Sequence, residues 1–198
     1  SCEGGFSVIL DRTAFFPEEG GQSADGGKLG GIEVLQVTED AGVISHILPE
    51  PLAIGSKVYG VLNFDERLEK MRIHTAEHIL NATMVKMFGC PRSRNAHIEK
   101  KKSKCDYILD AEPTEAQIAE IEAKVNEVIG QNLDITIEFM PLAQAGAYVD
   151  LSKLPENVSE TLRIVKVGDY DACACIGAHV ENTSGIGTFK ILSHDFAD

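Results

Sequence analysis

The sequence predicts an α+β fold, with a small glycine-rich, β-barrel-like domain over residues 1–64 and a sheet-plus-helices domain over 65–198. Three observations predict it. Short apolar runs alternate with glycine turns in the first part; one long helical pattern follows; a second amphipathic helix is then interleaved with β-rich runs. Helices packed on one side of a mixed or antiparallel sheet satisfy that order.

In the first part, Phe6-Ser-Val-Ile-Leu10, Ile32-Glu-Val-Leu-Gln-Val37 and Gly42-Val-Ile-Ser-His-Ile-Leu48 read as strands, separated by the turns Asp25-Gly26-Gly27 and Leu29-Gly30-Gly31. A helix is predicted over 65–89. Asp65 is its candidate N-cap, Glu66 and Glu69 suit the positive end of its dipole, and Gly89 with Pro91 stops it. Ala76, Ile79, Leu80, Thr83 and Met87 form its core stripe, while His74, His78, Asn81 and Val85 share a neighbouring strip. A hairpin is expected over 95–109, around a run of lysines. An amphipathic helix over 113–131 follows from the spacing of Ile118, Ile121, Val125 and Val128, then a strand over 134–140, a short helix near 142–148, and final β segments over 162–168 and 186–192.

Chemistry is concentrated in two short pairs, His74-x3-His78 and Cys175-x3-His179. On a helix the first pair presents two imidazoles to one side, and Gly177 lets the chain turn so that the thiolate and imidazole of the second converge. Two close pairs of borderline and soft ligands from distant segments suit a tetrahedral zinc ion. Cys173 is the alternative thiolate, and Asp171 a candidate partner for a ligating imidazole. The metalloprotease pattern is excluded, because it needs glutamate where this chain has Thr75.

With these pairs in place, the chain resembles a known family. His74-Thr-Ala-Glu-His78, Cys175-Ile-Gly-Ala-His179 with the following Val-Glu-Asn-Thr-Ser-Gly-Ile-Gly-Thr-Phe-Lys-Ile191, and the early Asp11-Arg-Thr-Ala-Phe-Phe-Pro-Glu-Glu-Gly-Gly-Gln22 are similar to the AlaX family, free-standing relatives of the alanyl-tRNA synthetase editing domain. The family usually shows Cys-Gly-Gly-Thr-His where this chain has Ile176-Gly177-Ala178 between the ligands. The resemblance implies zinc held by His74, His78, Cys175 and His179. It also implies hydrolysis in trans of tRNA(Ala) mischarged with serine or, in some members, glycine.

Selectivity then has to come from reading a hydroxyl, because a pocket that merely tolerates an extra hydroxyl discriminates only about 10²-fold, whereas one that bonds it reaches about 10⁴ to 10⁵. Thr75, beside a ligand, and Gln22, with two donors and an acceptor, are the candidate readers. Gly20 and Gly21 are expected near the substrate. Arg92, Arg94, His97, Lys100, Lys101, Lys102 and Lys104 form a basic stretch suited to the tRNA acceptor end.

Composition bounds the reading. The net charge of -13 opposes nucleic-acid binding at long range, so tRNA affinity is expected to be modest and steeply salt-dependent. An odd five cysteines point to a reducing compartment, and with no signal peptide visible and no apolar run near the ~20 residues of a membrane span, a cytoplasmic protein or a fragment of one is expected. Two other functions fit the same residues: an editor of a different aminoacyl-tRNA, and a non-catalytic zinc module binding nucleic acid or a protein.

Overall fold

A computed structural model describes residues 5–93, 95–98, 103–146 and 160–197. The early part forms two small antiparallel sheets. One is three-stranded, in the order β1 (Phe6–Ile9), β5 (Val43–Leu48), β4 (Gln36–Asp40); the other places β2 (Gly27–Leu29) between β3 (Ile32–Glu33) and β6 (Gly60–Leu62). The run Ile32 to Val37, predicted as one strand, is broken. At its middle the Val34 amide bonds the Gly27 carbonyl of one sheet and the Leu35 amide bonds the Ile47 carbonyl of the other, so the chain changes sheets there. No closed barrel forms among the described residues; Phe15, Leu29, Val34, Val37 and Leu48 fill the core shared by the two sheets.

His46 lies fully buried on β5, its ring bonded to the Thr13 hydroxyl at 2.8 Å and the Val8 carbonyl at 3.1 Å. Burial holds its pKa below the ordinary value of 6.5, partly offset by the Val8 carbonyl. The unfolded chain therefore takes up a proton that the folded one resists, and stability falls as pH drops through about 6.5. His46→Gln is expected to lose less of its urea midpoint than the wild type between pH 7.5 and 5.5. Parallel losses in the two proteins would mean that burial of this ring has no part in acid sensitivity.

The later part is built on α1 (Phe64–Phe88) and α2 (Glu115–Gly130), packed against an antiparallel sheet in the order β11 (Asp171–Ala174), β10 (Thr161–Val167), β9 (Ile135–Pro141). Asp65 is not the N-cap of α1. That position is Asn63, which makes no side-chain capping bond, and Asp65 sits in the first turn, where its charge faces the helix dipole. Gly89 ends the helix as expected, in the left-handed conformation that closes many helices. At α2, Thr114 and Gln117 form a capping box. Ile79, Met84, Ile121, Val125, Val128, Ile129 and Val167 join the two helices and β10 into one core.

The hairpin expected over 95–109 is the short pair β7 (His97–Ile98) and β8 (Ser103–Lys104), and the short helix is α3 (Leu142–Ala145). Arg94, Lys100, Lys101 and Lys102 lie outside the described residues, as does the far end of the helix predicted to 148. The segment 186–192 is not a strand. Ile186, Phe189 and Ile191 pack on the helix core while side chains of α2 take the place of a ladder: Asn126 bonds both the amide and the carbonyl of Phe189 at 2.9 Å, and Glu122 accepts from the Ile191 amide at 2.8 Å. No helix among the described residues is long and apolar enough to cross a membrane.

Candidate metal centre

The two ligand pairs meet. His74, His78, Cys175 and His179 bring one donor atom each to within 4.8 Å of the others. The Cys175 Sγ stands 3.4 Å from His74 Nε2 and 3.3 Å from His179 Nε2. A tetrahedral zinc with a sulfur bond of ~2.3 Å and nitrogen bonds of ~2.0–2.1 Å has a sulfur-to-nitrogen edge of about 3.5 Å, so these residues fit that ion. The three imidazoles close around the thiolate, with ring centres 4.4 to 5.4 Å apart.

Each imidazole is fixed from behind. His74 Nδ1 lies 3.0 Å from Gln22 Oε1, and His179 Nδ1 lies 3.1 Å from the Thr75 hydroxyl. His78 Nδ1 is 3.4 Å from Asp171, which Arg92 grips through both guanidinium nitrogens. In each ring the outer nitrogen is thus engaged, which leaves Nε2 for the centre, the arrangement that orients metal-bound histidines. Burial alone would raise the Cys175 thiol, but the His179 and His74 ring nitrogens packed against its sulfur outweigh it and hold the group far below the ordinary thiol range. Burial pushes His179 down to about 4, so its ring is neutral at physiological pH. Cys175 and His179 are therefore in the protonation state that a metal requires, whereas at His78 burial is outweighed by Cys173 and Asp171, which raise it well above its ordinary value, so a metal has to displace a proton there.

Cys175 lies just past the end of β11, its amide bonded to the Arg163 carbonyl of β10 at 3.1 Å. Gly177 then passes against the His74 ring so closely that an added methyl would overlap it. Ile176, the departure from the usual motif, is half exposed beside Gly20, so the glycine whose space is needed is the one retained.

Residues 162–195 match the family described as the threonyl and alanyl tRNA synthetase second additional domain. The alanine–tRNA ligase of Archaeoglobus fulgidus is 38% identical over 201 residues, covering 96% of this chain and 22% of the ligase. That of Methanococcus vannielii is 34% identical over 190 residues, 93% of this chain and 21% of the ligase. The alanyl-tRNA editing protein Aarsd1 of Rattus norvegicus is 32% identical over 190 residues, 95% of this chain and 45% of that protein.

The chain belongs to the AlaX-like family of alanyl-tRNA editing domains. It spans about a fifth of the synthetases it matches and under half of the rat editing protein.

Around this AlaX-like centre, the other residues singled out in the sequence take different places. Gln22 is buried against His74, and its Nε2 has no hydrogen-bond partner among the described residues. Gly20 and Gly21 form the turn that delivers it: both have positive φ, +60° and +79°, Glu19 and Gln22 bond across the turn, and Gly21 accepts from the Ile98 amide of β7 at 2.8 Å. Thr75 is fully buried with no hydrogen-bonding capacity left. Its hydroxyl donates to the Met71 carbonyl at 2.8 Å and accepts from His179 Nδ1 and the Val180 amide, so it holds a ligand in place and is not a free reader of substrate. Arg92 also departs from its sequence reading, because its guanidinium is taken up by Asp171 instead of facing a phosphate. His97 and Lys104 pair across β7 and β8 and are exposed. Cys173 flanks the His78 ring, 3.6 Å from Nδ1 and 3.8 Å from Nε2, and is grouped with His78 and Asp171 instead of with the four-residue centre.

Sequence reasoning missed the ties that bring Gln22 to the helix. Arg67 pairs with buried Asp25 and bonds the Ala14 carbonyl at 2.8 Å; Lys70, itself buried, donates to the Ala24 carbonyl at 2.6 Å. The signal was present: Arg67, Lys70 and His74 recur at three- and four-residue spacing, one face of α1 turned toward the glycine loop.

Proposed function

We propose that the chain hydrolyses the ester linking serine to mischarged tRNA(Ala), with zinc as cofactor, and so serves the fidelity of translation. The observation that carries the reading is the meeting of one thiolate and three imidazoles beside a buried glutamine amide that lacks a partner. His74, His78, Cys175 and His179 would hold the ion; bound there, it supplies a Lewis acid to the ester carbonyl. Gln22 has two tasks. Its Oε1 accepts from His74 Nδ1 and orients that ring, while its Nε2 donates to the substrate's hydroxyl. A donor built into the site is what a serine-over-alanine choice requires, since alanine leaves it unpaired.

On this reading residues 1–64 supply Gln22 and residues 65–198 supply the metal ligands, as two domains sharing one site. The acceptor end approaches over β7 and β8, where His97 and Lys104 are exposed, and the acidic remainder keeps affinity modest and salt-sensitive. The reaction belongs in the cytoplasm, where charged tRNA is made and used.

The test is release of amino acid from serine, glycine and alanine esters of one tRNA(Ala) by zinc-loaded protein. Serine should be released at least about a hundred-fold faster than alanine, and Gln22→Ala should lower that ratio toward one. Intact Ser-tRNA(Ala) under conditions where a synthetase editing domain cleaves it would sink the proposal.

A further inference from the structure

His78 belongs to two groups of ligand atoms. One is the four-residue centre; the other is His78 with Asp171 and Cys173, whose donor atoms also lie within 4.8 Å of one another. The second group has the composition of a metal site in its own right: an imidazole, a carboxylate and a sulfur. Its Asp171 is almost wholly buried, and its Cys173 Sγ stands 3.6 Å from His78 Nδ1. A cation already serves it. Arg92 reaches Asp171 with Nη1 at 2.5 Å and Nη2 at 3.1 Å, and the same Nη2 reaches Cys173 Sγ at 3.6 Å. Guanidinium is planar, permanently charged and forked, so it neutralises a buried carboxylate while also reaching a sulfur, without coordinating either.

We propose that Arg92 is a positioning residue that stands where a second divalent ion would otherwise bind, restricting the chain to one metal ion and keeping His78 Nδ1 turned to Asp171. The inference rests on the reading of the four-residue centre as a metal site. Its physical basis is charge. Without Arg92, a carboxylate with a side chain 5% exposed loses its forked, permanently charged partner beside a thiol and an imidazole, a costly state that a divalent ion relieves. With Arg92 present, a second ion would be forced against a fixed positive charge at contact distance. The Arg92 side chain lies partly open, at 29% exposure, so it can be exchanged without opening the core.

The experiment is zinc titration of the metal-free, untagged, reduced protein, with stoichiometry from metal analysis and cobalt(II) absorption as the spectroscopic readout. Wild type and Arg92→Lys, which keeps the charge, should take up one ion per chain. Arg92→Ala and Arg92→Gln, which remove it, should take up two and show a second cobalt spectrum; adding Cys173→Ala to either should return the count to one. The glutamine variant decides the matter if the alanine variant does not fold. One ion with an unchanged cobalt spectrum in every Arg92 variant, or two in the wild type, overturns the inference while leaving the four-residue centre standing. A wild type that takes up no ion overturns both.

Discussion

Gly177→Ala is expected to abolish stoichiometric zinc binding, lowering affinity by about a hundred-fold or more, with far-UV circular dichroism unchanged. Position 177 carries no positive φ, so alanine is acceptable to the backbone; the obstacle is the His74 ring, which an added methyl would overlap. His74 cannot retreat, because behind it stands Gln22, buried and held by the glycine turn. Displacing a ligand ring by a fraction of an ångström is enough, since loss of even an outer partner of a ligating histidine costs about 10- to 100-fold in metal affinity. Gly26→Ala is the control, with open space around its position. Equal zinc affinity in the two variants would show that the close approach of residues 74 and 177 does not shape the centre.

Cys175→Ala is expected to lose both metal and hydrolysis, whereas Cys173→Ala keeps them. The two cysteines are two residues apart and look interchangeable by spacing along a strand. They are not, because β11 ends at Ala174 and Cys175 has already left the strand, its Sγ 3.3 and 3.4 Å from two imidazole nitrogens. Removing that thiolate takes away the one anionic donor of the four, and with it a Lewis acid worth several kcal/mol of transition-state stabilisation, about a hundred-fold or more in rate. Metal analysis after dialysis against a chelator, paired with single-turnover release of serine from Ser-tRNA(Ala), reads both losses. Full occupancy in the Cys175 variant, or its loss in the Cys173 variant, would reverse the assignment of the thiolate ligand.

Much of the centre was legible because its parts are local. Three- and four-residue spacing on a helix places His74 and His78 together whatever the rest of the chain does, and the core spacing of α2 needs only its own residues. The segment 186–192 was misread for the complementary reason. Alternating apolar residues look alike whether their amides bond a neighbouring strand or, as here, the side chains of Asn126 and Glu122. Position 75 shows the same limit at one residue: a threonine between two ligands is equally suited to touching substrate or to backing an imidazole, and only the nearness of His179 Nδ1 and the Val180 amide decides it.

The amino-acid order by itself determined the α+β class, the two ligand pairs and the turn that carries Gln22, since each follows from periodicity or backbone freedom within a few residues. Tertiary structure alone decided which thiolate faces the imidazoles, that Gln22 stands behind His74, and that Arg92 serves Asp171 instead of a phosphate. These depend on strand register and helix packing between segments 50 to 100 residues apart, where the free energy of burial and charge pairing, and no local pattern, selects the partner.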